Sequence, residues 1–357
     1  MCLFERKFVI LPIVFRLIYI LKYMMKRFSK IVILAAVLIG GIQGVQAQMD
    51  VSFSQFYANP LYMNPAFAGS KICPRIALNY RQQWPALVSA YTTFSASYDQ
   101  YIDALHGGIG AQLMTDRQGD HGALTTSAFT AMYAFRFQLA RDLWVNAGLK
   151  AGIANTSLNW NDLRFPDMID IVNGYTGMTS AQMPDHTNVW YLDFDAGILV
   201  YGSSWYAGFA ASHLTQPSNG FYGVAKMPMK FTGNIGALIN ISEEARRTSS
   251  LGLGTPVLSP NFIYQYQAGF HTFSYGLNLD WMPFLVGVWF RNGIENADAF
   301  IFQVGFQQDY FKIGYSYDVT VSKLANNTSG AHEISVGILL PCPEKKHKVK
   351  AIRCPSF

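Results

Sequence analysis

Apolar and polar residues alternate with a period of two over most of the chain after Lys71. In residues 300–307, Phe300, Phe302, Val304 and Phe306 share one face, and Ile301, Gln303, Gly305 and Gln307 share the other. Residues 272–281 place Phe273, Tyr275, Leu277, Leu279 and Trp281 opposite Thr272, Ser274, Gly276, Asn278 and Asp280. The same pattern recurs in 310–318 and 191–200. A period of two is the signature of strands, whose successive side chains point to opposite faces. It predicts strands over 75–84, 92–98, 106–115, 125–137, 143–154, 191–201, 204–213, 230–241, 257–266, 271–281, 284–291, 299–307, 310–318 and 331–340, fourteen in all.

Two all-β architectures alternate in this way. A soluble sandwich turns its apolar face inward, with strands of about five or six residues. Here the apolar faces carry aromatics near strand ends, and the polar faces are small and Gly-rich. Many segments run near the roughly ten residues of a tilted membrane strand. The expected fold is therefore a transmembrane antiparallel β-barrel of about 14 strands. Connections after even-numbered strands are mostly short (202–203, 282–283, 308–309), whereas those after odd-numbered strands include 155–190, 214–229 and 319–330. Short periplasmic turns and longer outer loops are the usual asymmetry, which puts both ends of the mature chain in the periplasm. The long link 242–256 and the short link 85–91 depart from it.

Residues 54–70 read SQFYANPLYMNPAFAGS and break the pattern. The stretch is apolar and aromatic, yet Asn59-Pro60 and Asn64-Pro65 interrupt it. Proline lacks the backbone donor and pushes its predecessor to extended geometry, so neither a continuous helix nor a central strand fits. Residues 48–74 are expected in the lumen or at its periplasmic mouth, with Asn side chains capping the Pro turns. The alternative is a strip that docks a periplasmic protein.

Composition sharpens this picture. The 357 residues are 15% aromatic and only 14% charged, against about 25% charged in soluble domains. Lys26, Arg27 and Lys30, the apolar run 31–39 and Val45-Gln46-Ala47 read as a signal peptide, with residues 1–23 a superfluous start and Gln48 the first mature residue. Seven of the 27 basic residues and one of the 22 acidic residues precede Gln48, which leaves the mature chain at −1. The basic balance belongs to the leader, so nucleic acid is not an expected partner. The domains are thus a leader (1–47), a plug or docking segment (48–74), a barrel (75–341) and a basic tail (342–357).

Candidate chemistry is sparse. No metal, cofactor or catalytic motif stands out, and the protein is not read as an enzyme. Gly107-Gly108-Ile109-Gly110 falls inside a strand, where small lumen residues are expected. Lumen-facing Arg75, Arg81, Arg136, Asp193, Asp195, Asp280, Lys312, Asp318 and Glu333 read as paired charges that fill and rigidify the interior. Residues 242–247 read as a solvated turn, with one helical turn at the inner rim as the alternative, and offer charges to a periplasmic partner. Cys73 precedes the first strand and Cys342 follows the last, so a disulfide there would staple the seam; a Cys342–Cys354 pair is the rival.

The motif at Gln55, Tyr57, Asn59, Pro60, Asn64, Pro65, Phe67 and Gly69, just after a leader, resembles the N-terminal signature of the PorP/SprF family. Residues 75–84 (RIALNYRQQW), 92–98 and the Gly-rich strands resemble it too. The closing residues Cys354-Pro355-Ser356-Phe357 depart from a usual barrel end. The resemblance implies an outer-membrane barrel of the type IX secretion and gliding machinery of Bacteroidota, set among outer-membrane lipids. The implied partners are a large secreted, adhesin-like protein with a type IX sorting domain and a periplasmic secretion-motor lipoprotein ring. Trp160, Phe165, Met168, Tyr175, Met178 and Trp190 in the long loop 155–190 suit a protein-binding surface. The competing reading is a fatty-acid-channel-like transporter of hydrophobic small molecules, in which 48–74 is a hatch.

Overall fold

A computed structural model describes residues 50–71, 73–87, 90–170, 174–241, 256–294, 296–308, 310–322 and 328–342. The leader, residues 242–247, Cys354 and the basic residues of the tail lie outside the described residues.

Fourteen long strands form one antiparallel meander. They are β1 (Arg75–Gln83), β2 (Tyr91–Ile102), β3 (Gly107–Gln118), β4 (Leu124–Ala140), β5 (Leu143–Leu158), β6 (Asn188–Tyr201) and β7 (Trp205–Ser212). The second half is β8 (Lys230–Ala237), β9 (Val257–Gln267), β10 (Phe270–Trp281), β11 (Phe284–Gly293), β12 (Ala297–Gln308), β13 (Phe311–Thr320) and β14 (Ala331–Leu339). Each pairs with its sequence neighbours, β8 pairs with β9, and β1 pairs with β14 from Arg75↔Leu339 to Gln83↔Ala331. The sheet therefore closes on itself and leaves no edge, the condition for crossing a bilayer with strands. Among the described residues no helix is long and apolar enough to cross a membrane.

Burial follows the period of two and runs opposite to that of a soluble protein. On β12, Phe300, Phe302 and Val304 are 43%, 49% and 53% exposed, whereas Ile301 and Gln303 are 0% and 2% exposed. The apolar faces of β10 and β13 point outward in the same way. The buried apolar cluster lies inside the barrel, where Phe56, Tyr57, Leu61, Met63, Phe67 and Ala68 pack against wall residues such as Met132, Leu199, Tyr206, Ile263 and Trp289. The wall thus has lipid-facing apolar residues outside and an N-terminal segment inside.

One end of the barrel, called here the loop end, carries the connections 159–187, 213–229 and 321–330. The opposite turn end carries 103–106, 141–142, 202–204 and 282–283, together with the exceptional link after β8. At the turn end Cys73 and Cys342 are disulfide-bonded, with Cα atoms 4.4 Å apart. This lies at the seam, because Leu340 N donates to Pro74 O at 2.9 Å beside it.

Candidate functional site: a threaded lumen beneath an apolar loop face

Residues 50–70 run through the lumen from one end to the other. Each Asn-Pro step starts a single turn, Pro60–Met63 and Pro65–Phe67, with proline in the first turn where a missing N–H costs nothing. Asn64 caps its turn, accepting from Ala66 N at 2.8 Å, and its amide also donates to Ile198 O and Phe209 O at 3.1 and 3.3 Å. Asn59, expected to do the same, makes no side-chain cap. Its amide bonds the wall instead, to Ser95 Oγ at 3.1 Å and from Gln112 Nε2 at 2.9 Å. A local cap is not needed where the lumen supplies buried polar partners.

The lower half of the segment lies in a trough of glycines. A Cβ at Gly108 would sit 2.1 Å from Ala68 O, one at Gly148 2.4 Å from Ala66 N, and one at Gly197 2.1 Å from Asn64 Oδ1. Gly69 itself has φ +63° and lies against Gly108, a backbone that only glycine adopts without strain. Asn146 Nδ2 donates to Ala66 O at 3.0 Å, and Arg136 Nη2 donates to Gly69 O at 2.7 Å. Gly69 N donates to Asp99, which is paired with Arg75 at 2.9 Å.

The upper half is held by charge. Ser54 N and Gln55 N donate to Glu333 at 2.6 and 3.1 Å, and Ser54 Oγ donates to Asp318 at 2.6 Å. Arg81 bridges Glu333 and Asp318 at 3.2 and 3.1 Å, and Arg291 joins Asp318 at 3.0 Å and also pairs with Asp298. Between the halves, Phe56 and Tyr57 pack on Trp289 with centroids 5.2 and 6.0 Å apart.

At the loop end the segment is latched by its first described residue. Asp50 N donates to Gln267 Oε1 at 3.0 Å, and Gln267 Nε2 donates back to the Asp50 carboxylate at 3.0 Å. His213 joins Asp50 and Asp193 through its two ring nitrogens, each at 2.9 Å, and Lys230 stands 3.5 Å from Asp50. Burial works against an imidazolium at His213, but the Asp50 carboxylate and the Asp193 and Asp50 hydrogen bonds outweigh it and raise the ring to about 10. Burial likewise works against the Asp50 carboxylate, yet Lys230 and His213 hold it well below the usual range. Asp193, Asp195 and His213 have the ligand spacing of a metal site. Here Lys150 pairs with Asp195 and both His213 nitrogens are engaged, so protein cations already neutralise these carboxylates.

Gln55, Tyr57, Asn59, Pro60, Asn64, Pro65, Phe67 and Gly69 are buried inside the barrel, and Tyr62 between them is half-buried. Both mature ends lie outside the described residues, and with them the expectation that they share the periplasmic side; the described part of the segment runs between the two ends of the barrel. Asp50 binds residues at the loop end of β8 and β9, and Cys342 lies at the turn end, because the segment traverses the whole barrel. Of the loop residues, Trp160 stacks on Phe165 at 5.0 Å, and Tyr175 Oη reaches Met168 Sδ at 3.8 Å. Met168 is buried and forms the loop's own small core, while Tyr175 and Met178 are 60% and 75% exposed. Trp190 does not belong with them. It lies on β6, in line with the exposed Leu192 and Phe194, on the outward face of the wall. Ile169, Met183, Tyr222 and Val224 join the exposed loop set, and Tyr222 Oη donates to Gln182 O at 2.5 Å, which ties loop 213–229 to loop 159–187.

Fold and lumen together define an outer-membrane β-barrel filled by its own N-terminal segment. Among solved structures, the Ralstonia pickettii toluene transporter TbuX is similar at 11% identity and TM-score 0.43, over 83% of this chain and 94% of that one. The TodX deltaS2S3 mutant monoaromatic hydrocarbon channel is similar at 10% identity and TM-score 0.43, over 78% and 92%. No curated protein matches the sequence. The family model described as Type IX secretion system membrane protein PorP/SprF matches residues 45–338, and the chain belongs to that family.

Proposed function

We propose that this membrane component of type IX secretion holds a secreted surface protein on its loop end, and that it does not conduct small molecules. The observation that carries the reading is the pairing of a lumen threaded by the N-terminal segment with an apolar loop face above it. Ile169, Tyr175, Met178, Met183, Tyr222 and Val224 are 58% to 82% exposed on two loops tied to each other. Exposed aromatic and Met side chains at one place are what a protein partner covers. The partner is a large secreted, adhesin-like protein docked through its type IX sorting domain, with the loop end facing the cell exterior. The turn end faces the periplasm and offers contact to a secretion-motor lipoprotein ring.

Deleting residues 160–185 tests the loop assignment. The barrel is expected to assemble, seen as heat-modifiable migration, while a large secreted protein no longer co-purifies from the outer membrane. Unchanged retention would sink the assignment. A hydrocarbon transporter instead requires a continuous path, so uptake of an apolar probe by liposomes carrying the purified protein would favour the competing reading.

A further inference from the structure

One carboxylate of the upper lumen stands without a cation. Asp116, on β3, is 4% exposed. Thr93 Oγ1 donates to one of its oxygens at 2.6 Å, and Gln118 Nε2 donates to the other at 2.7 Å. Both donors are neutral. The other six carboxylates of this half, Asp50, Asp193, Asp195, Asp298, Asp318 and Glu333, each have a Lys, Arg or His partner. Among the described residues Asp116 has none. Aspartate is rarely so buried unless it is paired, because a charge taken out of water is costly until an opposite charge joins it. One hydrogen bond to each oxygen leaves lone pairs for a further donor.

What Asp116 borders is open and aromatic. At the loop end it lines a vestibule of about 820 Å³, together with Trp84 and Tyr91. Thr93 lies opposite Asp116 in the β2–β3 register, so Tyr91, two residues along β2, is its diagonal neighbour on the same face. Such neighbours stand about 7–8 Å apart at Cα, room for an ammonium between a carboxylate and a ring. Trp84 meets Tyr91 edge to face, with centroids 5.4 Å apart and planes at 83°, so the two rings form a corner. Trp84 holds φ +58°, and its N donates to Gly330 O at 2.8 Å. A bulky residue rarely adopts that backbone, and such outliers gather at ligand sites. We propose that the vestibule binds an alkylammonium group, seated between Asp116 and the corner of Trp84 and Tyr91. Aromatic faces attract an ammonium through the ring quadrupole, and Asp116 supplies the opposite charge. A hard metal ion suits the place poorly, since calcium takes about six to eight oxygens and Gln118 turns a donor, not an acceptor, toward Asp116. Arg81 and Arg291 also line the vestibule, but Glu333, Asp318 and Asp298 already hold them. The site is independent of which protein docks on the loops.

The test titrates the purified full chain in detergent by calorimetry. The probes are n-butylammonium, n-butanol as its uncharged counterpart, and an end-blocked Gly-Gly-Lys-Gly-Gly peptide. The amine is expected to bind and the alcohol not. Asp116→Asn should weaken the amine at least about tenfold, as loss of a charged hydrogen-bond partner does. Trp84→Leu should weaken it about three- to tenfold, the worth of one aromatic face. Heat-modifiable migration and the melting temperature show which variants are folded, and Tyr91→Leu reads the same seat if Asp116→Asn fails to assemble. Peptide binding as strong as that of the amine assigns the seat to a lysine side chain, whereas binding of the amine alone assigns it to a free small molecule. Silence with both cations, equal binding of n-butanol, or an unchanged affinity in the folded variants would overturn the proposal.

Discussion

Glu333→Gln is the sharpest test of whether the N-terminal segment is a fixed plug. Glu333 is 0% exposed and accepts from two consecutive plug amides, Ser54 N at 2.6 Å and Gln55 N at 3.1 Å, while pairing with Arg81 at 3.2 Å. The amide that replaces it carries no charge for Arg81. It also keeps only one acceptor oxygen, so one of the two plug N–H groups faces another donor. Removing one partner of a buried ion pair costs about 3–5 kcal/mol, and an unsatisfied buried donor costs about 1–3 kcal/mol. Asp318 retains Arg81 and Arg291, which puts the whole effect near the lower end of that combined range. The loss falls on the plug, because the β1–β14 ladder is made by backbone groups that the substitution leaves in place. The expected outcome is a barrel that still migrates as folded but shows ion conductance in planar bilayers and protease cleavage within residues 50–60. Equal silence and equal protease resistance in Glu333→Gln and the parent would refute the assignment of the upper lumen as a charge-held clamp.

Three further outcomes follow from the same geometry. Gly197→Val puts methyl groups where Asn64 Oδ1 already lies 2.1 Å from a Cβ position, so it should lower thermal stability by at least the roughly 1–3 kcal/mol of overpacking, read as a reduced melting temperature in detergent, whereas Gly233→Val, with nothing near its Cβ position, should be nearly neutral. The latch should weaken with alkali. His213 is raised to about 10, so its contribution is fully present below its ordinary value of 6.5 and is lost as pH rises through about 10; protease cleavage near Asp50 should increase between pH 7 and pH 10 in the parent and be pH-independent in His213→Gln. Val304→Arg, on the lipid face and 53% exposed, should cost about 2–4 kcal/mol near the bilayer midplane, seen as a lower denaturant midpoint after refolding into liposomes, while a cost near zero would argue against a lipid-facing wall.

The wall was legible because its signal is local. Phe300, Phe302, Val304 and Phe306 alternate with Gln303, Gly305 and Gln307, and a like alternation recurs in β6, β10 and β13. Strand ends were less so: β5 runs to Leu158 and β4 to Ala140, past the expected 154 and 137, because hydrogen-bonded ribbons extend beyond the apolar band that marks a strand in sequence. The plug was legible as an exception, through prolines that bar regular structure. What fastens it was not. Gly108, Gly148 and Gly197 read as small lumen fillers until Ala68, Ala66 and Asn64 are seen against them. His213 and Asp50 are 163 residues apart, and each alone is an ordinary polar residue. Trp190 carried the composition of a binding loop but lies one strand turn too late, on the wall.

The two halves of the fastening differ for a physical reason that bears on function. Near the turn end the segment is held by polar contacts from Asp99, Arg136 and Asn146, joined by a close approach of backbone to backbone at Gly108 and Gly148, which tolerates no added atom. Near the loop end it is held by carboxylates, guanidinium groups and an imidazolium, which attract over several ångströms and tolerate displacement. A force or a partner acting from the loop face therefore meets the more compliant end of the plug first, and Asp50, bonded to the base of loop 213–229 through His213, is where it would act. The covalent Cys73–Cys342 seam and the glycine trough keep the opposite end fixed. On the proposed attachment role, a load on the loops would pass through Asp50, His213 and Lys230 into the wall.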